Sequence, residues 1–120
     1  MAWQFNNTEP VFLQIANKLR TDILNGKYSP DEQIPSVRQL AFDASVNPNT
    51  MQKALTFLEE EGLLYTRGTV GRFVTSDSSV IDNARERVKR STVRTWLTSA
   101  KALGISTQEL INYIKEEDTL

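Results

Sequence analysis

Hydrogen-bonding side chains cluster at the start of one predicted helix, in the segment 47–62 that reads N-P-N-T-M-Q-K-A-L-T-F-L-E-E-E-G. Near its N-terminus this helix presents Asn49, Gln52 and Lys53 on the side opposite its apolar residues. Amide side chains can form paired hydrogen bonds with base edges in the major groove of DNA. The pattern therefore predicts a helix that enters a DNA major groove, with an ordinary amphipathic surface helix as the alternative.

The ends and the buried side of this helix are also indicated by residue type. Asn47 is a strong N-cap, Pro48 suits the first helical position because that position needs no N–H, and Gly62 supplies a left-handed stop. Its buried side is predicted from the apolar residues that recur at helical spacing, which are Met51, Ala54, Leu55 and Leu58.

Two further helices are predicted ahead of it. The first starts at 8–10 and ends at Gly26, with its apolar stripe formed by Phe12, Ile15, Ala16, Leu19 and Ile23. The second begins after Ser36, which together with Gln39 is placed as a capping box, and its buried face is predicted to be Val37, Leu40 and Ala41. Because only the short turn 44–46 separates it from Asn47, the two helices indicate a helix-turn-helix.

A β-hairpin is predicted directly after this motif. Residues 63–67 and 72–75 have strand composition, and the Gly-rich segment 68–71 forms the tip between them. A hairpin in this position is the wing of a winged helix. Arg67 and Arg72 flank the tip and favour a contact with DNA over a hairpin that only covers the core.

The remaining chain is predicted to be a two-helix extension. We place the boundary after residue 75, giving a DNA-binding domain at 1–75 and a dimerisation tail at 76–120, with helices at about 79–103 and after the capping box of Ser106 and Glu109. Two helices cannot bury both of their apolar stripes on each other, so a symmetric dimer is predicted, although the stripes could instead pack on the winged domain. The predicted dimer interface is Val88, Trp96, Leu97, Ala100, Leu103, Leu110, Ile111 and Ile114. Trp96 and Tyr113 could alternatively line a ligand pocket.

Composition restricts the class of protein. The 120 residues are 39% hydrophobic and 24% charged, which is ordinary for a globular protein, and neither an apolar run of about 18 residues nor a signal peptide is evident. The absence of cysteine and histidine removes disulfides, thiol catalysis, zinc fingers and histidine general bases, and it fits a reducing cytoplasm. Carboxylates remain, but the acidic cluster 59–61 has the pattern of a solvated helix end. We therefore expect no enzyme, no cofactor and no metal, and a cytoplasmic location without a membrane.

The net charge of −1 requires an uneven distribution if the protein binds DNA. We expect the basic side chains of the winged domain to lie on one face and the acidic run 59–61 to point elsewhere, with weak, salt-sensitive binding to random DNA. The basic side chains in question are Arg38, Lys53, Arg67 and Arg72.

Four linked motifs follow one another over about residues 9–75. They are P-V-F-L-Q-I-A-N-K-L-R-T-D-I-L-N-G, I-P-S-V-R-Q-L-A, V-N-P-N-T-M-Q-K-A-L-T-F-L-E-E-E-G-L-L and T-R-G-T-V-G-R-F-V. Together they resemble the winged-helix domain of GntR-type bacterial transcription regulators. The N-P-N-T variant of the third motif and the short two-helix tail resemble the YtrA subfamily.

The resemblance implies a mainly α fold with a small β-wing, that is, a winged helix-turn-helix followed by a two-helix C-terminal extension. It implies a dimeric cytoplasmic repressor that binds a palindromic operator in double-stranded DNA, often ahead of an operon for an ABC transporter. The 45 residues after the wing are too few for the large ligand-sensing domain of the wider family, so the tail is expected chiefly to dimerise. The family's DNA-contacting positions fall on Ser36, Arg38, Asn49, Thr50, Gln52, Arg67 and Gly68; Lys53 and Arg72 are added from the residue pattern.

This sequence departs from the wider family in the reading helix. Pro48 and Gln52 stand where many members have an arginine, so a guanine-reading group is missing, and an A·T-weighted contact at Gln52 is expected instead. Two alternatives stay open. The first is a winged helix that binds a protein through residues 47–58, where Phe57 is the one residue without an assigned role. The second is a small-molecule effector in the dimer cleft. The operator sequence, the regulated genes and the sign of regulation are not indicated by the residues.

Overall fold

The computed structural model of the protein describes residues 3–119 and confirms a mainly helical chain with a two-stranded wing. The elements in chain order are α1 (Val11–Leu24), α2 (Val37–Ala44), α3 (Pro48–Glu60), β1 (Leu64–Arg67), β2 (Gly71–Val74), α4 (Ser78–Ala102) and α5 (Thr107–Glu117). They divide into two compact units, Met1–Asp82 and Asn83–Leu120. Within the described part of the chain, no helix combines the length and the apolar character that crossing a bilayer requires.

The core of the first unit forms where α1, α2 and β1 meet one side of α3. The predicted stripe of α3 is buried in full, since Met51, Ala54, Leu55 and Leu58 have no more than traces of exposed surface. Ile15 and Leu19 of α1 and Leu63 beside β1 complete this core. Because apolar contact determines the rotation of α3 about its own axis, the residues on its other side must face away from the core.

The helix ends agree with the sequence in α3 and only in part in α2. The Asn47 side chain accepts a hydrogen bond from the backbone N–H of Asn49 at 2.7 Å, as an N-cap should. The Ser36 hydroxyl accepts from the N–H of Gln39 at 3.1 Å, but the predicted capping box is incomplete. The Gln39 side chain instead donates to Asp43 one turn further along the helix, at 2.8 Å. The predicted burial of Val37 is also incomplete, and Ala44 is buried with Leu40 and Ala41.

The wing is broader than the predicted hairpin. β1 and β2 pair antiparallel from Leu64 opposite Val74 to Arg67 opposite Gly71, and a turn from Arg67 to Val70 closes the tip. Residues 31–34, which lead toward α2, form backbone hydrogen bonds to the other edge of β2: the N–H of Ile34 donates to the carbonyl of Arg72 at 3.0 Å. The segment that leads into α2 is therefore fixed to the wing.

A side-chain contact reinforces this attachment near the tip. The Gln33 amide nitrogen donates to the carbonyl oxygen of Val70 at 2.8 Å. This bond requires close approach to Gly71, because a Cβ at that position would lie 2.7 Å from the same nitrogen. Gly71 also has a φ of +139°, a conformation that side-chain-bearing residues rarely adopt. Sequence periodicity gives no signal for such a contact between residues 37 positions apart.

The second unit contains most of α4 and all of α5. The division at residue 82 falls inside α4, seven residues after the predicted boundary at 75. The capping box of α5 is confirmed, with the Ser106 hydroxyl accepting from the N–H of Glu109 and the Glu109 carboxylate accepting from the N–H of Ser106. Gly104 has a φ of +79° and ends the long helix as predicted. No residue of α5 is buried.

Substitution of Gly71 tests how the wing is held. We expect Gly71→Ala to lower the free energy of unfolding by about 1–3 kcal/mol from backbone strain, with a further loss from the clash with Gln33. Gly68→Ala is the matched control, because Gly68 has a φ of +44° and no heavy atom near its Cβ position, and it should cost less. Unfolding in urea, followed by circular dichroism, measures both.

A second substitution separates the clash from the strain. Gln33→Ala in the Gly71→Ala background removes the close contact and should recover part of the lost stability. Equal losses for Gly68→Ala and Gly71→Ala, with no recovery on adding Gln33→Ala, would contradict the contact between Gln33 and the tip.

Candidate nucleic-acid interface

The exposed front of α3 carries hydrogen-bonding groups without partners in the described chain. Asn49 and Gln52 are exposed, and their side-chain amides make no hydrogen bond with another described residue. Thr50 is half-buried beside them. Each free amide has both a donor and an acceptor, which is the arrangement that matches the N7 and N6 groups of adenine.

Lys53 and Phe57 both lie against α1. The ammonium group of Lys53 lies 4.1 Å from the centre of the Phe12 ring, which is close enough for a cation–π interaction. Phe57, one turn further along α3, meets Phe12 edge-to-face with ring centroids 6.2 Å apart. Phe57, to which the sequence assigned no role, is therefore half-buried and packs on α1. It does not make the outward side of α3 apolar.

The start of α2 provides a second group of candidate contacts. Arg38 is exposed in the first turn and makes no ion pair with another described residue. The first N–H groups of a helix favour anions, so this end suits a phosphate. One turn further, Phe42 keeps 80% of its surface exposed and borders an open groove with Val46 and Pro48. This exposed aromatic residue was not predicted, because periodicity places position 42 on the polar side of α2 without assigning it a role.

Arg67 lies on an aromatic surface at the wing. Its guanidinium carbon is 4.5 Å from the centre of the Phe73 ring and 5.8 Å from that of Tyr65. The Tyr65 hydroxyl donates to a carboxylate oxygen of Asp31 at 2.7 Å, and this hydrogen bond raises the pKa of Tyr65 above its ordinary value. Tyr65 therefore stays protonated at neutral pH and links β1 to the segment before α2. Stacking limits the directions that the exposed Arg67 side chain can take.

Arg72 is engaged within the protein. Its Nε donates to Glu59 at 2.5 Å, its side chain is only 15% exposed, and Thr66 donates to the other oxygen of the same carboxylate at 2.9 Å. The expectation that the acidic run points away from the basic residues is wrong for Glu59. The physical reason is the wing register, which places Thr66 opposite Arg72 and brings both to the C-terminal end of α3.

Glu61 is engaged in the same way on the other side of α3. It accepts from Arg20 of α1 at 2.6 Å, and both side chains are largely covered. Two of the four predicted basic residues, Arg38 and Arg67, thus remain exposed without an acidic partner. The ammonium group of Lys53 lies against Phe12 of α1, and Arg72 joins β2 to α3. The two exposed arginines lie on the two elements that flank α3.

Comparison with known proteins gives the family. Residues 12–74 match the model of the bacterial regulatory proteins of the gntR family. The HTH-type transcriptional regulator YhcF of Bacillus subtilis is 30% identical over 112 residues, which cover 93% of each chain. The HTH-type transcriptional repressor YtrA of Bacillus subtilis is 28% identical over 112 residues, covering 92% of this chain and 85% of YtrA, in agreement with the YtrA subfamily.

Solved structures agree with this assignment. A GntR family transcriptional regulator from Listeria monocytogenes superposes with a TM-score of 0.88 at 29% identity, over 95% of this chain and all of that one. The structure of AraR(DBD) in complex with operator ORX1 has a TM-score of 0.57 at 30% identity, over 60% of this chain and 93% of the other. These proteins are regulators of transcription rather than enzymes. The chain therefore belongs to the GntR family of bacterial regulatory proteins and is a DNA-binding transcription regulator.

Proposed function

We propose that this regulator binds a palindromic operator as a homodimer, with the N-terminal half of α3 in the major groove of each half-site, and represses transcription. The observation that carries the proposal is the exposed pair of unpartnered amides, Asn49 and Gln52, on a helix whose other side is fully buried. A rigidly held helix with free donors and acceptors at its front end has the form of a recognition helix. The structure of AraR(DBD) in complex with operator ORX1 supports operator binding by a domain of this fold.

The contacts divide into positioning and sequence recognition. Ser36 and Arg38 at the start of α2 hold phosphate, which fixes the protein on the duplex without recognising sequence. Asn49, Thr50 and Gln52 carry sequence choice, and Gln52 favours an A·T pair because its amide matches the adenine edge. Two further groups supply phosphate contacts around α3: Lys53, and the wing residues Arg67 and Gly68. Arg72 acts mainly by joining the wing to α3 through Glu59.

The homodimer is supported by the apolar surface of the second unit. Nothing in α5 is buried, and within α4 only Ala84 and Ala100 are. Trp96 is 59% exposed and Leu103 is 80% exposed, and the isoleucines of α5 are open as well. An 11-residue helix is marginal in isolation, so α5 needs apolar contacts beyond its own residues.

A second copy supplies those contacts in the proposed dimer. Residues 76–120 then act as the dimerisation tail, and the interface comprises Val88, Trp96, Leu97, Ala100, Leu103, Leu110, Ile111 and Ile114. A two-fold axis between copies presents two α3 helices to half-sites about one helical turn of DNA apart, which requires a palindromic operator.

The proposals on repression and on the regulated genes rest on the similarity to related proteins. YtrA is named a transcriptional repressor, and it matches most of the length of this chain. The resemblance to its subfamily extends the proposal to an operon for an ABC transporter, and the proposed location is the cytoplasm, where a regulator meets its operator. Occupation of an operator that overlaps a promoter would be sufficient for repression, so no catalytic group is needed.

Two alanine variants test the division of contacts, on a duplex enriched from random DNA with the wild-type protein. Arg38→Ala should weaken binding to all sequences alike and reduce the salt slope by about one, because one phosphate contact is lost. Gln52→Ala should leave the slope unchanged and remove discrimination of about 1–3 kcal/mol at a single base pair. Fluorescence anisotropy at several salt concentrations measures both effects.

The base-pair preference at the position that Gln52 contacts tests the A·T assignment separately. If the enriched duplex has G·C at the position that Gln52 contacts, and Gln52→Ala leaves that preference unchanged, the A·T assignment fails. Loss of the same preference in Arg38→Ala and Gln52→Ala would contradict the division between phosphate and base contacts.

The dimer is tested by making the apolar side of the second unit polar without changing charge. Trp96→Gln with Leu103→Gln should shift the protein toward monomer and weaken operator binding, because two exposed apolar side chains lose their contacts with the partner. Thr95→Gln with Ala102→Gln adds the same groups, at the same spacing, to the other side of α4 and should behave as wild type. Analytical ultracentrifugation gives the dissociation constants, and circular dichroism checks that each variant is folded. An unchanged dissociation constant for the first pair would rule out this interface.

A further inference from the structure

Charge is divided unevenly between the two helices of the second unit. Six lysines and arginines but only two acidic residues lie in α4, whereas residues 107–119 contain four acidic residues and one lysine. The whole chain is nearly neutral, so this separation does not follow from composition. It gives one strongly basic helix and one acidic end within a single unit.

The basic residues of α4 form a row beside its apolar stripe. Three basic residues border Leu97 on the helix surface. Arg90 is seven positions before it, Arg94 is three positions before it, and Lys101 is four positions after it. Arg87 extends the row by one turn. We call these four residues the basic row. Arg90 pairs with Glu86 at 3.0 Å, whereas the other three are exposed and make no ion pair with another described residue.

The acidic residues follow the apolar stripe of α5. Glu117 stands seven after Leu110 and three after Ile114, which places it on the same side of the helix as both. Glu116 and Asp118 are its neighbours in the chain. We call these three residues the acidic end. They are exposed and make no ion pair with another described residue.

Symmetry restricts how two copies can meet. In a two-fold interface every contact occurs twice, with the roles of the two copies exchanged. Packing α4 on α4 along the basic row would place four cations opposite four cations, which is unfavourable. Packing α4 of one copy on α5 of the other joins opposite charges, and the symmetry repeats the same pairing on the other side. The two apolar stripes meet in the same arrangement, because the basic row borders the stripe of α4 and Glu117 lies on the side of the stripe of α5.

From this arrangement we propose that the basic row of one copy pairs with the acidic end of α5 in a second copy, so that opposite charge selects the register of the dimer. The inference rests on the proposed homodimer. DNA phosphate is the competing partner for the basic row, but it would leave the acidic end and the stripe of α5 without a role. Exposed ion pairs contribute little individually and weaken with salt, so the row mainly determines which surfaces meet.

Two charge-reversal variants test the pairing by exchange of partners. Arg87→Glu with Arg94→Glu makes α4 acidic, and Glu117→Lys with Asp118→Lys makes the end of α5 basic on the side of its apolar stripe. Each variant alone should form a weaker dimer at low salt, by several-fold in the dissociation constant, because like charges then face each other twice. Mixed together, they should form heterodimers above the statistical share, since both contacts are restored with the signs exchanged.

Native mass spectrometry of an equimolar mixture, with one variant carrying a short tag, measures the heterodimer fraction at two salt concentrations. The matched control is Gln108→Lys with Asn112→Lys, which adds positive charge to the side of α5 away from its apolar stripe. This control should dimerise as wild type and mix statistically. Circular dichroism of each protein confirms that helix content is retained.

The outcomes separate the pairing from the homodimer. Preferred heterodimers that fade at high salt support the pairing, whereas statistical mixing with unweakened homodimers overturns it. Reversing the charge of the basic row could instead leave dimerisation intact while lowering the DNA affinity and the salt slope. That result would assign the row to DNA and would also overturn the pairing. Wild-type protein that sediments only as monomer overturns the homodimer and the pairing with it, and this measurement requires no variant.

Discussion

Burial of one side of α3 is the constraint on which the rest of the winged unit depends. Met51, Leu55 and Leu58 are fully enclosed by α1, α2 and the chain around β1, so α3 cannot rotate without exposing them. Asn49 and Gln52 face outward for the same reason, and their polar groups remain free because no described neighbour reaches them. Affinity for an operator then requires little reordering of α3 itself, since the helix already has its final orientation.

The wing and the start of α2 are joined to this helix by polar contacts. Glu59 holds Arg72 of β2, and residues 31–34 extend the sheet from β2 to the lead-in of α2. Glu59 and Glu61 at the end of α3 are held by Arg72 and Arg20, which helps a winged unit with more acidic than basic residues to present Arg38 and Arg67 to an anion. Two of the carboxylates that would oppose DNA binding are thus neutralised by arginines of the same unit.

The sequence was sufficient for features that depend on neighbours in the chain. The apolar stripe of α3, the Asn47 cap and the capping box of α5 all follow from residues within one or two turns, and each is found. Contacts across long separations gave no such signal: Gln33 to Val70 and Arg72 to Glu59 depend on wing register. Prediction from the sequence can fail even between near neighbours. The Gln39 side chain was expected to complete a capping box with Ser36, but it donates to Asp43 one turn away.

The second unit leaves most of its apolar surface open, and the proposed dimer gives that surface a partner. Two copies of the protein then recognise one symmetric site. Selection of bound duplexes from random DNA by the wild-type protein, followed by measurement of the number of proteins bound to the enriched duplex, tests this symmetry. We expect an inverted repeat with half-sites centred about 10 base pairs apart and two proteins per duplex. Enrichment of an asymmetric site bound by one protein, or no enrichment by folded protein, would contradict it.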